Sequence, residues 1–122
     1  MAEGKRVLIV DDSTYMQAQL KKILEKEGHT VIGTGANGIE AIKSYRELKP
    51  DVITLDIVMP QMGGIEALRM LKSLDPNVNV IMVSSITDKD SIKTCALIGA
   101  HHYILKPFDE EKVREVIRRV LA

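Results

Sequence analysis

Short apolar runs alternate with amphipathic segments along the whole of this 122-residue chain, and this alternation constrains its fold more than any other feature. Runs of this length that are rich in Val and Ile are typical of strands buried on both faces of a parallel sheet. The runs are Val7–Val10, Val31–Ile32, Val52–Leu55, Val78–Val83 and Tyr103–Leu105. Strict alternation with helices predicts an α/β fold, a doubly wound open sheet of five parallel strands with helices on both faces.

The segments between the runs carry apolar residues at helical spacing and end in residues that commonly cap helices. The clearest apolar stripe, in the last segment, consists of Val113, Val116, Ile117, Val120 and Leu121. We expect Asp12, Asn37, Thr87 and Asp109 to cap the starts of the first, second, fourth and fifth helices. Gly99 is placed to end the fourth helix.

Composition narrows the classes of protein to which the chain can belong. It has 17 Lys+Arg and 17 Asp+Glu, so its formal net charge is zero. The chain therefore lacks the excess of positive charge that sequence-independent binding to nucleic acid requires. Its apolar runs are far shorter than the roughly 20 residues needed to cross a membrane. The single cysteine, Cys95, excludes an intrachain disulfide and suits a reducing compartment. We therefore expect one domain over residues 1–122, cytoplasmic and monomeric, that binds neither nucleic acid nor membrane.

Charged and hydroxyl side chains come directly after four of the five runs. Asp11 and Asp12 follow the first run and Asp56 follows the third, while Ser84 and Lys106 follow the fourth and fifth. Since the carboxyl ends of parallel strands meet at one edge of a sheet, we expect these side chains to converge there. Oxygen ligands without His or Cys select a hard cation, Mg²⁺ or in its place Mn²⁺. Such a site could receive a phosphoryl group on an aspartate, because metal and lysine would neutralise it.

Four segments in register resemble the receiver domain of two-component response regulators, and most of all its single-domain, CheY-like chemotaxis type. They are Val7–Ser13, Asp51–Gly64, Ile81–Ser85 and Tyr103–Phe108. The resemblance covers essentially the whole chain. It implies a (βα)5 flavodoxin-like fold with the strand order 2-1-3-4-5, one receiver domain without an output domain, and a cis peptide bond at Lys106-Pro107.

The resemblance also implies a division of labour among the acidic residues. Asp56 would be the phosphoacceptor, modified by a partner histidine kinase. Asp12, Asp56 and the backbone carbonyl of Val58 would bind Mg²⁺, whereas Asp11 would act mainly through water. The chain would catalyse only its own phosphorylation and dephosphorylation, so it would be a signalling domain and not an enzyme that turns over a substrate.

A switch is implied by the same resemblance. Ser84 would take the position of the switch hydroxyl, Lys106 would bind the phosphoryl group, and Tyr103 would be the aromatic residue whose rotamer reports activation. Phosphorylation would change the surface formed by the fourth helix, fifth strand and fifth helix. Candidate contacts on that surface are Lys93, Leu97, Tyr103 and Leu105.

Two apolar residues bear on how long a phosphoryl group would last. Val58 lies two residues after the phosphoacceptor and Ile86 two after the switch serine, where the family often has polar residues. Because neither side chain can position an attacking water, we expect slow self-dephosphorylation, with turnover that depends on a phosphatase or on back-transfer to a kinase. The alternative, that both residues matter only for local packing, stays open.

The sequence does not decide between several partner proteins, and it leaves two alternative functions to consider. A flagellar-motor switch protein is the first candidate partner, and a histidine phosphotransfer protein in a phosphorelay is the second. A Mg²⁺-dependent phosphatase with an aspartyl nucleophile is a less favoured alternative, because its haloacid-dehalogenase form separates the two acids by one residue, whereas Asp11 and Asp12 are adjacent. A flavodoxin-like cofactor binder fits poorly, since two carboxylates at the first strand would repel a phosphate.

Overall fold

The structure is a computed structural model that describes residues 4–121, over which five strands alternate with five helices. The strands are β1 (Arg6–Val10), β2 (Thr30–Gly35), β3 (Val52–Leu55), β4 (Asn79–Ser84) and β5 (His102–Leu105). The helices are α1 (Thr14–Lys26), α2 (Gly38–Leu48), α3 (Gly64–Leu74), α4 (Lys89–Ile98) and α5 (Glu110–Leu121). Each predicted apolar run lies wholly or largely within one strand.

The strands form one parallel sheet in the order β2-β1-β3-β4-β5, as the resemblance implied. Alternate residues of β1 point to opposite faces of the sheet: Leu8 and Val10 pack with α2, α3 and α4, whereas Val7 and Ile9 pack with α1 and α5. Apolar side chains thus cover both faces of the central strands, which leaves polar side chains to collect at the strand ends.

Several predicted helix boundaries are confirmed. The Oδ1 atom of Asn37 accepts the backbone N–H of Glu40 at 2.9 Å at the start of α2. Asp109 accepts the backbone N–H of Lys112 at 2.7 Å at the start of α5. Gly99 ends α4 with a φ of 125°, a conformation that glycine adopts without a Cβ clash.

Two predicted caps are wrong by one residue. Ser13 caps α1 in place of Asp12, because the backbone is still extended at Ser13 and its hydroxyl accepts the N–H of Met16. Asp88 caps α4 in place of Thr87 for the same reason. In both cases adjacent residues can cap a helix, and the length of the preceding loop decides between them.

The edge strand β2 is longer than its apolar run. The run predicted only Val31–Ile32, whereas the strand spans Thr30–Gly35 and pairs with β1 through a register shift between Val7 and Leu8. Main-chain pairing extends this strand beyond its two half-buried apolar side chains. Among the residues that the structure describes, no helix has the length and apolarity to cross a lipid bilayer.

Candidate metal centre

Three carboxylates meet at the carboxyl edge of the sheet. One oxygen of each of Asp11, Asp12 and Asp56 lies within 4.8 Å of the others. The cause is the register between neighbouring strands: Val10 at the end of β1 pairs with Leu55 at the end of β3, so the acids that follow them are adjacent. Asp11 and Asp56 are buried, with 1% and 6% of their surface exposed, whereas Asp12 is open to solvent.

Lys106 reaches this cluster from β5, on the other side of β4. Its Nζ atom donates to Oδ2 of Asp11 at 2.6 Å and to Oδ2 of Asp56 at 3.0 Å. Burial opposes the charge on the ammonium group, but the hydrogen bonds to the two carboxylates outweigh it and raise the pKa of Lys106 above its usual value of 10.5. The lysine is therefore a charged partner of both buried acids. The peptide bond that follows it, Lys106-Pro107, is cis as expected.

The chemistry of the cluster fits a hard divalent cation. Three carboxylates against one ammonium leave a net charge of about −2, and the donors are all oxygen atoms. The exposed Asp12 leaves one side of the cluster accessible. One oxygen of Asp56 accepts the backbone N–H of Ile57 at 2.7 Å, which orients its carboxylate. These groups have the composition of a site for a hard divalent cation such as Mg²⁺.

Ser84 and Tyr103 lie around the loop that follows β4. Ser84 is fully buried, and its hydroxyl accepts the backbone N–H of Ile86 at 3.2 Å. The Tyr103 hydroxyl donates to the carbonyl oxygen of Ile86 at 2.7 Å, so both side chains hold the same residue. Burial raises the pKa of the Tyr103 phenol, which stays a hydrogen-bond donor. A movement of this loop would disturb both side chains together.

Two groups of residues differ in exposure: those predicted to affect the lifetime of the phosphoryl group and those predicted to contact a partner protein. Val58 is 59% exposed in the loop after Asp56, while Ile86 is half-buried. On the predicted output surface, Leu97 is 78% exposed and Leu105 46% exposed. Lys93 is exposed on the same helix as Leu97. Apolar side chains this exposed are available to contact a partner.

Two further residues at the site escaped the sequence analysis. Gln17 donates from Nε2 to the carbonyl oxygen of Asp11 at 2.7 Å, which supports the end of β1 from within α1. A Cβ atom at Gly64 would overlap the carbonyl oxygen of Asp56, so only glycine fits there. The pair Gly63-Gly64 before a helix was a usable signal for this close approach, whereas nothing in the sequence distinguishes Gln17 from other surface glutamines.

Comparison with known proteins gives consistent matches. Residues 7–118 match the sequence profile of the response regulator receiver domain. Chemotaxis protein CheY of Thermotoga maritima is 43% identical over 117 residues, which cover 96% of this chain and 98% of that protein. Chemotaxis protein CheY of Bacillus subtilis is 39% identical over 116 residues, covering 95% and 97% of the two chains.

Solved structures agree with the sequence matches. A chain in the crystal structure of the CheX-CheY-BeF3-Mg²⁺ complex from Borrelia burgdorferi superposes with a TM-score of 0.92 and 39% identity. The match covers 96% of this chain and 89% of that chain. The similarity therefore extends over nearly the full length in both sequence and fold.

Proposed function

This chain belongs to the response regulator receiver domain family, the phosphorylation-dependent switches of two-component signalling, and we propose that Asp56 is its phosphoacceptor. One observation carries the proposal: the buried Asp56 carboxylate lies 3.0 Å from the Lys106 ammonium and within the cluster of Asp11 and Asp12. A carboxylate with a fixed orientation, beside a cation, is arranged to act as a nucleophile toward an anionic group. The extent of the family match supports one receiver domain within the chain.

Mg²⁺ completes this site in the proposal. Asp12, Asp56 and the backbone carbonyl of Val58 would hold the ion, and Asp11 would act on it through water. When bound, the ion neutralises negative charge on the carboxylates and on the incoming phosphoryl oxygens. The all-oxygen donor set and the exposed position of Asp12 support this assignment.

The phosphoryl donor would be a phosphohistidine of a histidine kinase. An oxygen of Asp56 attacks the phosphorus atom, so that an O–P bond forms, the P–N bond breaks, and the leaving imidazole takes a proton from solvent. Lys106 then exchanges its contact with Asp56 for one with a phosphoryl oxygen while it keeps its contact with Asp11. The shorter of its two present contacts, 2.6 Å against 3.0 Å, is the one to Asp11, which supports that order.

The conformational switch would follow from the loop after β4. Ser84 releases the N–H of Ile86 and donates its hydroxyl proton to a phosphoryl oxygen, which draws the loop toward Asp56. Tyr103, which already packs against the core and donates to the carbonyl oxygen of Ile86, fills the space that the loop vacates. The surface of α4, β5 and α5 changes as a result, a two-state shift biased by local electrostatics.

The output of this switch would be a protein contact. The exposed side chains Leu97, Leu105 and Lys93 support a partner with an apolar and acidic surface. The CheY relatives support a chemotaxis partner such as a flagellar-motor switch protein, and the Borrelia complex supports a CheX-type partner, while a histidine phosphotransfer protein remains the alternative. We propose no catalytic turnover beyond the domain's own phosphorylation and dephosphorylation; steady hydrolysis of a phosphomonoester would instead indicate a phosphatase.

A pull-down with beryllofluoride-loaded protein tests the proposal, since beryllofluoride and Mg²⁺ together mimic a phosphoryl group on a carboxylate. We expect the loaded wild type, and the control Asp51→Asn at the opposite edge of the sheet, to capture partners that the unloaded forms do not. Asp56→Asn should show no difference between loaded and unloaded protein. Loading of Asp56→Asn as effective as that of wild type would contradict the assignment.

A further inference from the structure

The start of α2 holds the loop that joins β3 to α3, which we call the β3–α3 loop (residues 56–63). The backbone N–H of Gly38 donates to the carbonyl oxygen of Met62 at 2.8 Å. The side-chain Nδ2 of Asn37 donates to Oε1 of Gln61 at 3.2 Å. Two adjacent residues of α2 and its cap thus bind two adjacent residues of the loop.

The contact between the two segments is close. A Cβ atom at Gly38 would lie 2.8 Å from the carbonyl oxygen of Met62 and 2.6 Å from its Cγ, so no larger residue fits without moving the loop. Gln61 has a φ of 67°, in the left-handed region that non-glycine residues seldom adopt. A residue in that conformation persists where its surroundings hold it, and the contact from Asn37 is one such restraint.

The orientation of the Asn37 amide is fixed by its second role. Its Oδ1 atom accepts the N–H of Glu40 at 2.9 Å and caps α2, which turns Nδ2 toward Gln61 at 3.2 Å. A longer contact of 3.5 Å joins the same Nδ2 to Oε2 of Glu40. Asn37 is 6% exposed, which leaves its amide group little freedom to turn. One buried side chain therefore joins the end of a helix to the loop that begins at Asp56.

We propose that Asn37 is a positioning residue for the metal centre, which it serves by fixing the β3–α3 loop through Gln61. The inference rests on the proposed function, in which the carbonyl of Val58 in this loop is a Mg²⁺ ligand. Mg²⁺ requires nearly ideal octahedral geometry, so a loop that is free to move offers it a poorer ligand. Asn37 itself touches neither the ion nor the phosphoryl group.

Calorimetric titration of the unphosphorylated protein with Mg²⁺ tests this role. Asn37→Ser keeps a capping oxygen for α2 but is too short to reach Gln61, and Gln61→Met keeps the length of the side chain but removes the acceptor. We expect each variant to weaken Mg²⁺ binding by about tenfold, as loss of an outer-shell contact commonly does, and the double variant to add no further loss. The matched control Asp88→Ser exchanges the cap of α4 and should bind Mg²⁺ as wild type does.

Amide hydrogen exchange and urea unfolding separate positioning from stability. In Asn37→Ser, the amides of Met62 and of the rest of the loop should exchange faster, whereas the free energy of unfolding should change no more than in Asp88→Ser. If Asn37→Ser binds Mg²⁺ as tightly as wild type, or if its loop amides are as well protected, the inference about Asn37 is overturned. Loss of Mg²⁺ binding in Asp12→Asn would show at the same time that the metal centre itself stands. Failure of the wild-type protein to bind Mg²⁺ would overturn both this inference and the proposed function.

Discussion

The Nζ atom of Lys106 lies 2.6 Å from Oδ2 of Asp11, a residue 95 positions away in the sequence, and the two side chains are only 16% and 2% exposed. The more deeply buried acid of the cluster thus has the shorter contact with the cation. In the proposed cycle this pair stays together while Asp56 is modified, which gives the site one fixed ion pair beside one reactive carboxylate.

Removal of the Lys106 ammonium group should destabilise the protein when Mg²⁺ is absent. Lys106→Met leaves the carboxylate of Asp11 buried beside two other acids, so we expect the free energy of unfolding to fall by about 3 kcal/mol. Added Mg²⁺ should restore part of the loss, since it supplies charge to the same cluster. Urea denaturation with and without Mg²⁺ measures both effects.

The matched control for this prediction is Lys26→Met. Lys26 pairs with Glu110 at 3.4 Å, but their side chains are 53% and 41% exposed, so its loss should change the free energy of unfolding far less than the loss of Lys106. Equal stability of Lys106→Met and wild type without Mg²⁺ would show that Lys106 does not neutralise the buried acids.

Removal of a buried hydroxyl should stabilise the protein. Thr54 is 2% exposed, and its hydroxyl has no hydrogen-bond partner among residues 4–121. Thr54→Val replaces this group with a methyl of similar size, so we expect a gain of about 1 kcal/mol in the free energy of unfolding. Thermal or urea unfolding checks it, with Thr54→Ser as the control that keeps the hydroxyl and loses the methyl. A Thr54→Val protein less stable than wild type would mean that this hydroxyl is satisfied in solution.

Polar groups near the acceptor should shorten the life of the phosphorylated state. In Val58→Asn/Ile86→Glu, either new side chain can bind the attacking water, so we expect decay of the aspartyl phosphate to accelerate by about tenfold to a hundredfold. The decay is followed by loss of radiolabelled phosphoryl group. The control Val58→Ala/Ile86→Ala removes bulk without adding a polar group. An unchanged lifetime in the polar variant would show that Val58 and Ile86 affect only local packing.

Mild acid should destabilise the fold through its histidines. The Nδ1 atom of His29 accepts the backbone N–H of Lys5 at 2.9 Å, and burial lowers the pKa of His29 below its usual value of 6.5. As pH falls below about 6.5, the unfolded chain takes up a proton that the folded chain does not, so the free energy of unfolding decreases. Partial desolvation and the charge of Lys72 also lower the pKa of His101, although its side chain is exposed.

Urea unfolding at about pH 7.5 and about pH 5.5 brackets this window, below which carboxylates begin to titrate. His29→Asn keeps a side-chain acceptor for Lys5 but cannot titrate, and should lose part of the decrease. A decrease of the same size in His29→Asn and wild type would assign the effect to other groups.

The order of elements was predictable because it depends on burial, which the sequence records directly. The run Val52–Leu55 is the whole of β3, since every residue of that strand is buried. The run Val31–Ile32 predicted only part of β2, because an edge strand is extended by main-chain pairing with β1, which leaves no mark on side-chain hydropathy. The helix caps at Ser13 and Asp88 were also missed, because the choice between adjacent capping residues depends on the length of the preceding loop.

The candidate site was predictable as far as strand ends define it. Asp11, Asp12 and Asp56 converge because they lie within two residues of the ends of β1 and β3, which are neighbours in the sheet. The contact of Asn37 with Gln61 joins two loops whose relative position depends on how α2 and α3 pack, and no spacing rule reports it. Contacts of this kind depend on the tertiary structure and cannot be predicted from sequence spacing.

Reductive trapping tests whether Asp56 accepts a phosphoryl group in a cation-dependent site. The protein is incubated with acetyl phosphate and Mg²⁺, reduced with borohydride, and mapped by mass spectrometry, since borohydride converts an aspartyl phosphate to homoserine. We expect one homoserine, in place of Asp56, that disappears when Mg²⁺ is chelated or when Asp12 is changed to Asn. Trapping at another residue, or equal trapping without a divalent cation, would contradict this expectation.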